Sequence, residues 1–219
     1  MIREYALGLD WDNKHTELKK EFCKLLVRID ALKFGAFLLS KGKWSSYYID
    51  LRIIPSFPGA FRRVGEIYVE LANNIVNTKN FLRVAGIPTA GIPFASLLAF
   101  FLSKPYLYVR KAIKTHGRQR RVEGILHPGD SVLLVDDLVT SGTSLLEAVD
   151  AIKPEGGVVK HALVLIDRQE GGEEALKKEG IKLHSLIKMY EVAQTLYDIE
   201  AINNQQLKDI LSQIKKRQK

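Results

Sequence analysis

A chain of 219 residues, 46% hydrophobic and 26% charged, is long enough to bury a core without covalent staples, which excludes disorder and a small stapled scaffold as its class. Its one cysteine, Cys23, excludes intramolecular disulfides and cysteine metal clusters, while a net charge of +8 admits nucleic acid and polyanionic small molecules alike. No apolar run approaches the roughly 20 residues that cross a bilayer, and the start "MIREYALGLDWDNKH" puts acids and a tryptophan where a signal peptide needs an apolar stretch, so the expected location is the cytoplasm.

In chain order, Leu18, Phe22, Leu25, Leu26, Ile29 and Leu32 have the spacing of one helical face and predict a helix over residues 16–34. Cys23 falls within it beside Phe22, the place of a packed thiol rather than a reactive one. "FGAFLLSKGKWSSYYIDLR" predicts a hairpin, or a strand and a loop, about the polar "SKGK" turn. Pro58 suits the first turn of a second helix that runs through about residue 76. Short apolar strands are predicted at 82–85, 106–109, 132–135, 162–166 and 183–187, alternating with helices at 92–102, 143–152 and 173–179. Strands buried on both faces that alternate with helices give an α/β fold with a mostly parallel sheet flanked by helices. Residues 111–124, "KAIKTHGRQRRVEG", are too polar and irregular for either element and predict a long mobile loop of the kind that carries function.

The stretch "VLLVDDLVTSGTSLLEAV" runs a buried strand into Asp136 and Asp137, then through Leu138 and Val139 into a hydroxyl-rich turn and a helix. Open α/β sheets bind ligands beyond the carboxyl ends of their strands. Thr140, Ser141, Gly142, Thr143 and Ser144 stand where the helix begins, and its free N–H groups and positive dipole end favour a phosphate. Gly142 permits close approach and a positive φ. Two carboxylates repel phosphate, but they accept hydrogen bonds from sugar hydroxyls and orient waters on a hard cation such as Mg²⁺. A sugar phosphate with vicinal hydroxyls satisfies both halves; the plainer alternative is that the acids only terminate the strand.

"VLLVDDLVTSGTS" resembles the phosphoribosyl pyrophosphate signature of the type I phosphoribosyltransferases. With "LKFGAFLLSKGKWSSYYIDLR", "VRKAIKTHG", "RVEGILHPGDSVLLVDD" and "IDRQEGG", the likeness extends from about residue 31 to 197 and is to the orotate phosphoribosyltransferases. The resemblance implies a single domain over residues 1–219: an N-terminal helix and small hood (1–57), an α/β core (58–200) with a flexible active-site loop, and a C-terminal helix with a basic tail (201–219). It implies that Asp136 to Ser144 bind phosphoribosyl pyrophosphate, with Asp136 and Asp137 catalytic, and that Arg110, Lys111, Lys114 and His116 bind its pyrophosphate, with Lys114 the loop cation of largest effect on rate. It assigns orotate to Thr140, Arg168, Tyr48 and Ile49. Mg²⁺ is the implied cofactor, held largely by substrate and water with Asp136 and Asp137 as candidate contacts. The implied assembly is a homodimer in which each loop serves the neighbouring subunit's site.

The chain departs from the bacterial form of the pattern at two lysine positions, which here are Ser40, with Lys41 beside it, and Ala90. Residues 88–91 keep the backbone turn that approaches pyrophosphate. Two other readings are a phosphoribosyltransferase for another base, for which Arg168 would have no carboxylate to grip, and a nucleic-acid-binding regulator of the same fold. The complete "RKAIKTHG" loop favours catalysis over the regulator, and much of the positive charge lies in that loop and the tail rather than on a separate basic surface.

Overall fold

In the computed structural model, which describes residues 2–38, 44–111 and 121–217, helix α1 (Ile2–Arg28) leads into an antiparallel pair, β1 (Leu32–Leu38) and β2 (Trp44–Ile49). The helix predicted to reach residue 34 therefore stops early. Asp30 takes a left-handed φ of 56°, the Ala31 N–H bonds the Leu26 carbonyl at 2.9 Å, and the chain turns into β1. Leu32 is buried as expected, but as a strand residue opposite Ile49, so its helical spacing is a coincidence. A 3₁₀ turn (Leu51–Ser56) then feeds α2 (Pro58–Leu71), whose last turn widens through Ala72–Val76.

The remaining elements are β3 (Arg83–Gly86), α3 (Gly91–Phe101), β4 (Tyr106–Val109), β5 (Val122–Glu123), β6 (Ser131–Val135), β7 (Leu138–Val139), α4 (Thr143–Ile152), β8 (Val158–Asp167), α5 (Gly172–Lys178), β9 (Lys182–Lys188), α6 (Met189–Asp198) and α7 (Asn204–Arg217). The strand order is β5-β4-β3-β6-β8, with β9 on the far side of β8, and every pairing is parallel except β4 with β5. Successive residues of the central strands face opposite layers. Leu133 and Val135 join the cluster built with α1, α2, α3 and α6, whereas Val132 and Leu134 join the one under α4, which is why these strands read as continuous apolar runs.

Two further differences from the sequence reading bear on the site. The segment expected to be loop throughout 111–124 ends in β5, and the Arg110 N–H reaches the Arg121 carbonyl at 2.7 Å. The strand expected to end at the acid pair continues past it: Val135 lies opposite Leu163 and Leu138 opposite Ile166, the same offset, so β6 and β7 are one strand interrupted by Asp136 and Asp137. Among the described residues no helix is long and apolar enough to cross a membrane.

Helix α3 begins directly against this interruption. A Cβ on Gly91 would come within 2.6 Å of the Val135 carbonyl oxygen and 2.8 Å of the Asp136 Cα, and backbone cannot swing aside. Gly91→Ala is expected to destabilise the fold by about 1–3 kcal/mol, the usual cost of overpacking, read from the urea midpoint.

Cys23 is fully buried and burial pushes its thiol up to about 12, so a thiol reagent is expected to label it only after denaturant is added. His184 of β9 is 4% exposed and stands 3.1 Å, Nε2 to Nδ1, from His161 of β8. Burial, then the charges of His161 and Lys182, lowers the His184 pKa from 6.5 to about 4. Between those values the unfolded chain holds the proton and the folded chain does not, so stability falls as pH falls from 6.5 towards 4. The drop in urea midpoint between about pH 7.5 and about pH 5 is expected to be shallower in His184→Leu.

Candidate active site

Asp136 and Asp137 are each 9% exposed. The ladder holds their backbone: the Asp136 N–H bonds the Leu163 carbonyl at 3.2 Å and the Leu165 N–H bonds the Asp137 carbonyl at 3.0 Å. From the opposite layer the Tyr68 hydroxyl of α2 donates to the Asp136 carbonyl at 2.7 Å. Burial raises both carboxyl pKa values, and Asp136 is raised further by the charge of Asp137. Hydrogen bonding from the Leu138 N–H and the charge of Arg52 oppose the rise at Asp137. Two buried carboxyls that gain from a positive charge nearby suit a cation or a ring of hydroxyl donors. Among the described residues no group of three or more His, Cys, Asp and Glu could hold a metal by itself. A hard cation that keeps most of its waters and substrate oxygens therefore fits this pair better than a dehydrated one caged by protein.

Immediately beyond β7 the chain turns at Thr140 and Ser141 and enters α4 through Gly142, whose φ is 80°. Glycine offers no capping side chain, which leaves the first-turn N–H groups of α4 for an anion, and the hydroxyls of Ser141 and Thr143 lie 2.9 Å apart beside them. Gly172 at the start of α5 closes this turn from behind: a Cβ there would meet Val139 Cγ2 at 2.6 Å and the Thr140 carbonyl at 2.7 Å.

Arg168 lies one residue past β8, and its N–H bonds the Val139 carbonyl at 3.0 Å, so the sheet itself places it next to the anion turn. Its side chain is 6% exposed, with Nε 3.1 Å from Glu170 Oε1. That approach is misaligned for a hydrogen bond, and among the described residues Nε has no hydrogen-bond partner. The guanidinium carbon stands 5.2 Å from the centre of the Tyr47 ring, and Nη2 donates to the Tyr47 hydroxyl at 3.3 Å.

The structure separates the predicted base-lining pair, because Tyr48 and Ile49 are neighbours on a strand and point to opposite faces. Ile49 is buried in the core with Tyr47, while Tyr48 tilts against Phe37 and accepts a hydrogen bond from Arg52. Arg52 is also paired with Asp50, Nε to Oδ1 at 2.7 Å and Nη2 to Oδ2 at 2.9 Å. Arg110 stands at the base of the β4–β5 pair with Nη1 3.2 Å from Glu123 Oε1, and Lys111 is exposed. Lys114 and His116 lie outside the described residues, as do Ser40 and Lys41. Residues 88–91 form the turn between β3 and α3, with a cis peptide between Pro88 and Thr89 and Ala90 immediately before the helix.

Four contributors escaped the sequence reading: Tyr47, Arg52, Tyr68 and Gly172. For Arg52 a local signal existed, the "DLR" spacing at the end of a strand, and for Gly172 the doubled glycine in "QEGG". Tyr47 and Tyr68 look like any aromatic in a core pattern until the tertiary partner is known.

The model of the phosphoribosyl transferase domain matches residues 58–196. The orotate phosphoribosyltransferase of Sulfolobus acidocaldarius is 42% identical over 176 residues, covering 80% of this chain and 87% of that protein. The crystal structure of orotate phosphoribosyltransferase from Aeropyrum pernix superposes with a TM-score of 0.73 at 34% identity, covering 83% of this chain and 99% of that one. The UMP synthase of Leishmania donovani gives a TM-score of 0.80 at 30% identity over 90% of this chain and 42% of that longer one. An acid pair set into the sheet, an uncapped helix start and a buried arginine thus lie within the matched span, and the chain belongs to the phosphoribosyltransferase family, in its orotate phosphoribosyltransferase branch.

Proposed function

We infer that the protein is an orotate phosphoribosyltransferase, transferring the 5-phosphoribosyl group of phosphoribosyl pyrophosphate to N1 of orotate to give orotidine 5′-phosphate and pyrophosphate, a step of pyrimidine synthesis. The observation that carries the reading is the backbone bond from Arg168 to Val139, which sets a buried guanidinium beside the anion turn that follows the acid pair. A purine or another neutral base would give that guanidinium no carboxylate.

In this reading the 5′-phosphate takes the N–H groups of residues 140–144 and the ribose hydroxyls donate to Asp136 and Asp137. The C1–O bond to pyrophosphate breaks as N1 bonds C1 with inversion, and the electron pair leaves on pyrophosphate. Orotate attacks as its N1 anion, so no protein base is needed. Lewis-acid charge for the departing pyrophosphate comes from Mg²⁺ when bound, with Asp136 and Asp137 positioned to hold its waters. Arg110, Lys111, Lys114 and His116 add positive charge at the same oxygens, where charge develops in the transition state. Arg168 grips the orotate carboxylate and Thr140 borders the base from the turn, while Tyr48 and Ile49, which face opposite ways on β2, do not line it together. The loop carrying Lys114 serves the neighbouring subunit, which makes the working form a cytoplasmic homodimer.

With Mg²⁺, phosphoribosyl pyrophosphate and orotate, the purified protein is expected to deplete orotate absorbance. Asp137→Asn and Lys114→Ala are each expected to lower kcat by roughly 100-fold or more, the scale of losing one preorganised charge at a transition state. Arg168→Ala is expected to raise the KM for orotate by at least about tenfold. Tight binding of phosphoribosyl pyrophosphate with no orotate consumption would sink the assignment of the base.

A further inference from the structure

A guanidinium recognises a carboxylate with two parallel N–H bonds only if its plane is fixed beforehand, and the cost of fixing it falls on whatever surrounds the arginine. Around Arg168 two groups do this from different directions. Glu170, two residues on, lies beside Nε at 3.1 Å and supplies charge without a directed hydrogen bond. Tyr47, 121 residues earlier in the sequence, supplies direction: its ring underlies the guanidinium and its hydroxyl accepts from Nη2. Tyr47 is 1% exposed.

Tyr47 is itself held from outside the site. The Ser45 hydroxyl donates to the Tyr47 carbonyl at 2.6 Å, and Gln213 of α7 donates from Nε2 to the Ser45 oxygen at 2.8 Å. The Ser46 N–H donates back to Gln213 Oε1 at 3.0 Å. The C-terminal helix thus braces β2 at Ser45 and Ser46, and β2, registered against β1, presents Tyr47 to Arg168. The next residue, Tyr48, points the other way, towards Phe37 and Arg52.

We propose that Tyr47 is a positioning residue for the base site, setting the plane of the Arg168 guanidinium so that its remaining N–H groups meet a planar carboxylate. This rests on the reading of Arg168 as the carboxylate-binding residue. The ring contributes by cation–π contact and the hydroxyl by one hydrogen bond, so the two parts separate by substitution.

The test is steady-state kinetics of the full chain with each substrate varied in turn, for wild type, Tyr47→Phe, Tyr47→Leu and Arg168→Lys, with the thermal midpoint of each. Tyr47→Phe keeps the ring and the shape of the core, and is expected to raise the KM for orotate roughly 3- to 10-fold, with Tyr47→Leu raising it further. The KM for phosphoribosyl pyrophosphate is expected to stay at its wild-type value in Tyr47→Phe. If Arg168→Lys raises the orotate KM and Tyr47→Phe does not, Tyr47 is only a core residue and the proposal fails. Equal rises in both KM values with a lowered midpoint would also overturn it, since that is the mark of a general loss of packing. An unchanged orotate KM in Arg168→Lys would instead remove the reading of Arg168 on which the proposal stands. Tyr47→Phe decides the matter even if Tyr47→Leu does not fold.

Discussion

Most of this site hangs on how the chain carries two carboxyl groups through the middle of a buried parallel sheet without losing the sheet. At Asp136 and Asp137 the backbone continues to bond β8, so β7 resumes in the same register and delivers Thr140 and Gly142 to the start of α4. Had the strand ended at the acids, neither the anion turn nor Arg168 would have a fixed place relative to them. The cost is two carboxyls held out of water, and burial answers it by raising their pKa values until a charge or donors arrive.

The surrounding elements serve that arrangement. Tyr68 anchors α2 to the Asp136 carbonyl, and Gly91 lets α3 start against the strand with no side chain between. Arg52, fixed by Asp50, stands close enough to Asp137 to oppose the rise in its pKa. The same economy appears in Arg168, whose backbone bonds the Val139 carbonyl and whose side chain is enclosed by Tyr47 and Glu170.

Periodicity alone located the elements whose burial follows their own pattern: β4 at Tyr106–Val109 and α4 at Thr143–Ile152 fall where the pattern puts them. It failed where a backbone event outweighs pattern. The left-handed Asp30 ends α1 although Ile29 and Leu32 keep helical spacing, and β5 is a two-residue strand made by its partner rather than by its own polar sequence. Motif resemblance pointed to the acid pair, the turn at 140–144 and Arg168 because each lies within a short continuous motif. It pointed to Tyr48 with Ile49 and passed over Tyr47, whose contact with Arg168 and brace through Ser45 and Gln213 are tertiary, and α7 carries little of the resemblance.

The contact between Gly172 and the turn at Thr140 has a mechanical meaning. A Cβ on Gly172 would meet Val139 Cγ2 at 2.6 Å and the Thr140 carbonyl at 2.7 Å, and one on Gly142 would meet the Gly172 carbonyl at 3.3 Å, so only glycine at both places lets the turn and the start of α5 come this close. The turn after the acid pair and the start of α5 are therefore packed together across a pair of glycines. A side chain at either glycine would push the turn and α5 apart, so the distance from the turn to the segment that bears Arg168 depends on both of them.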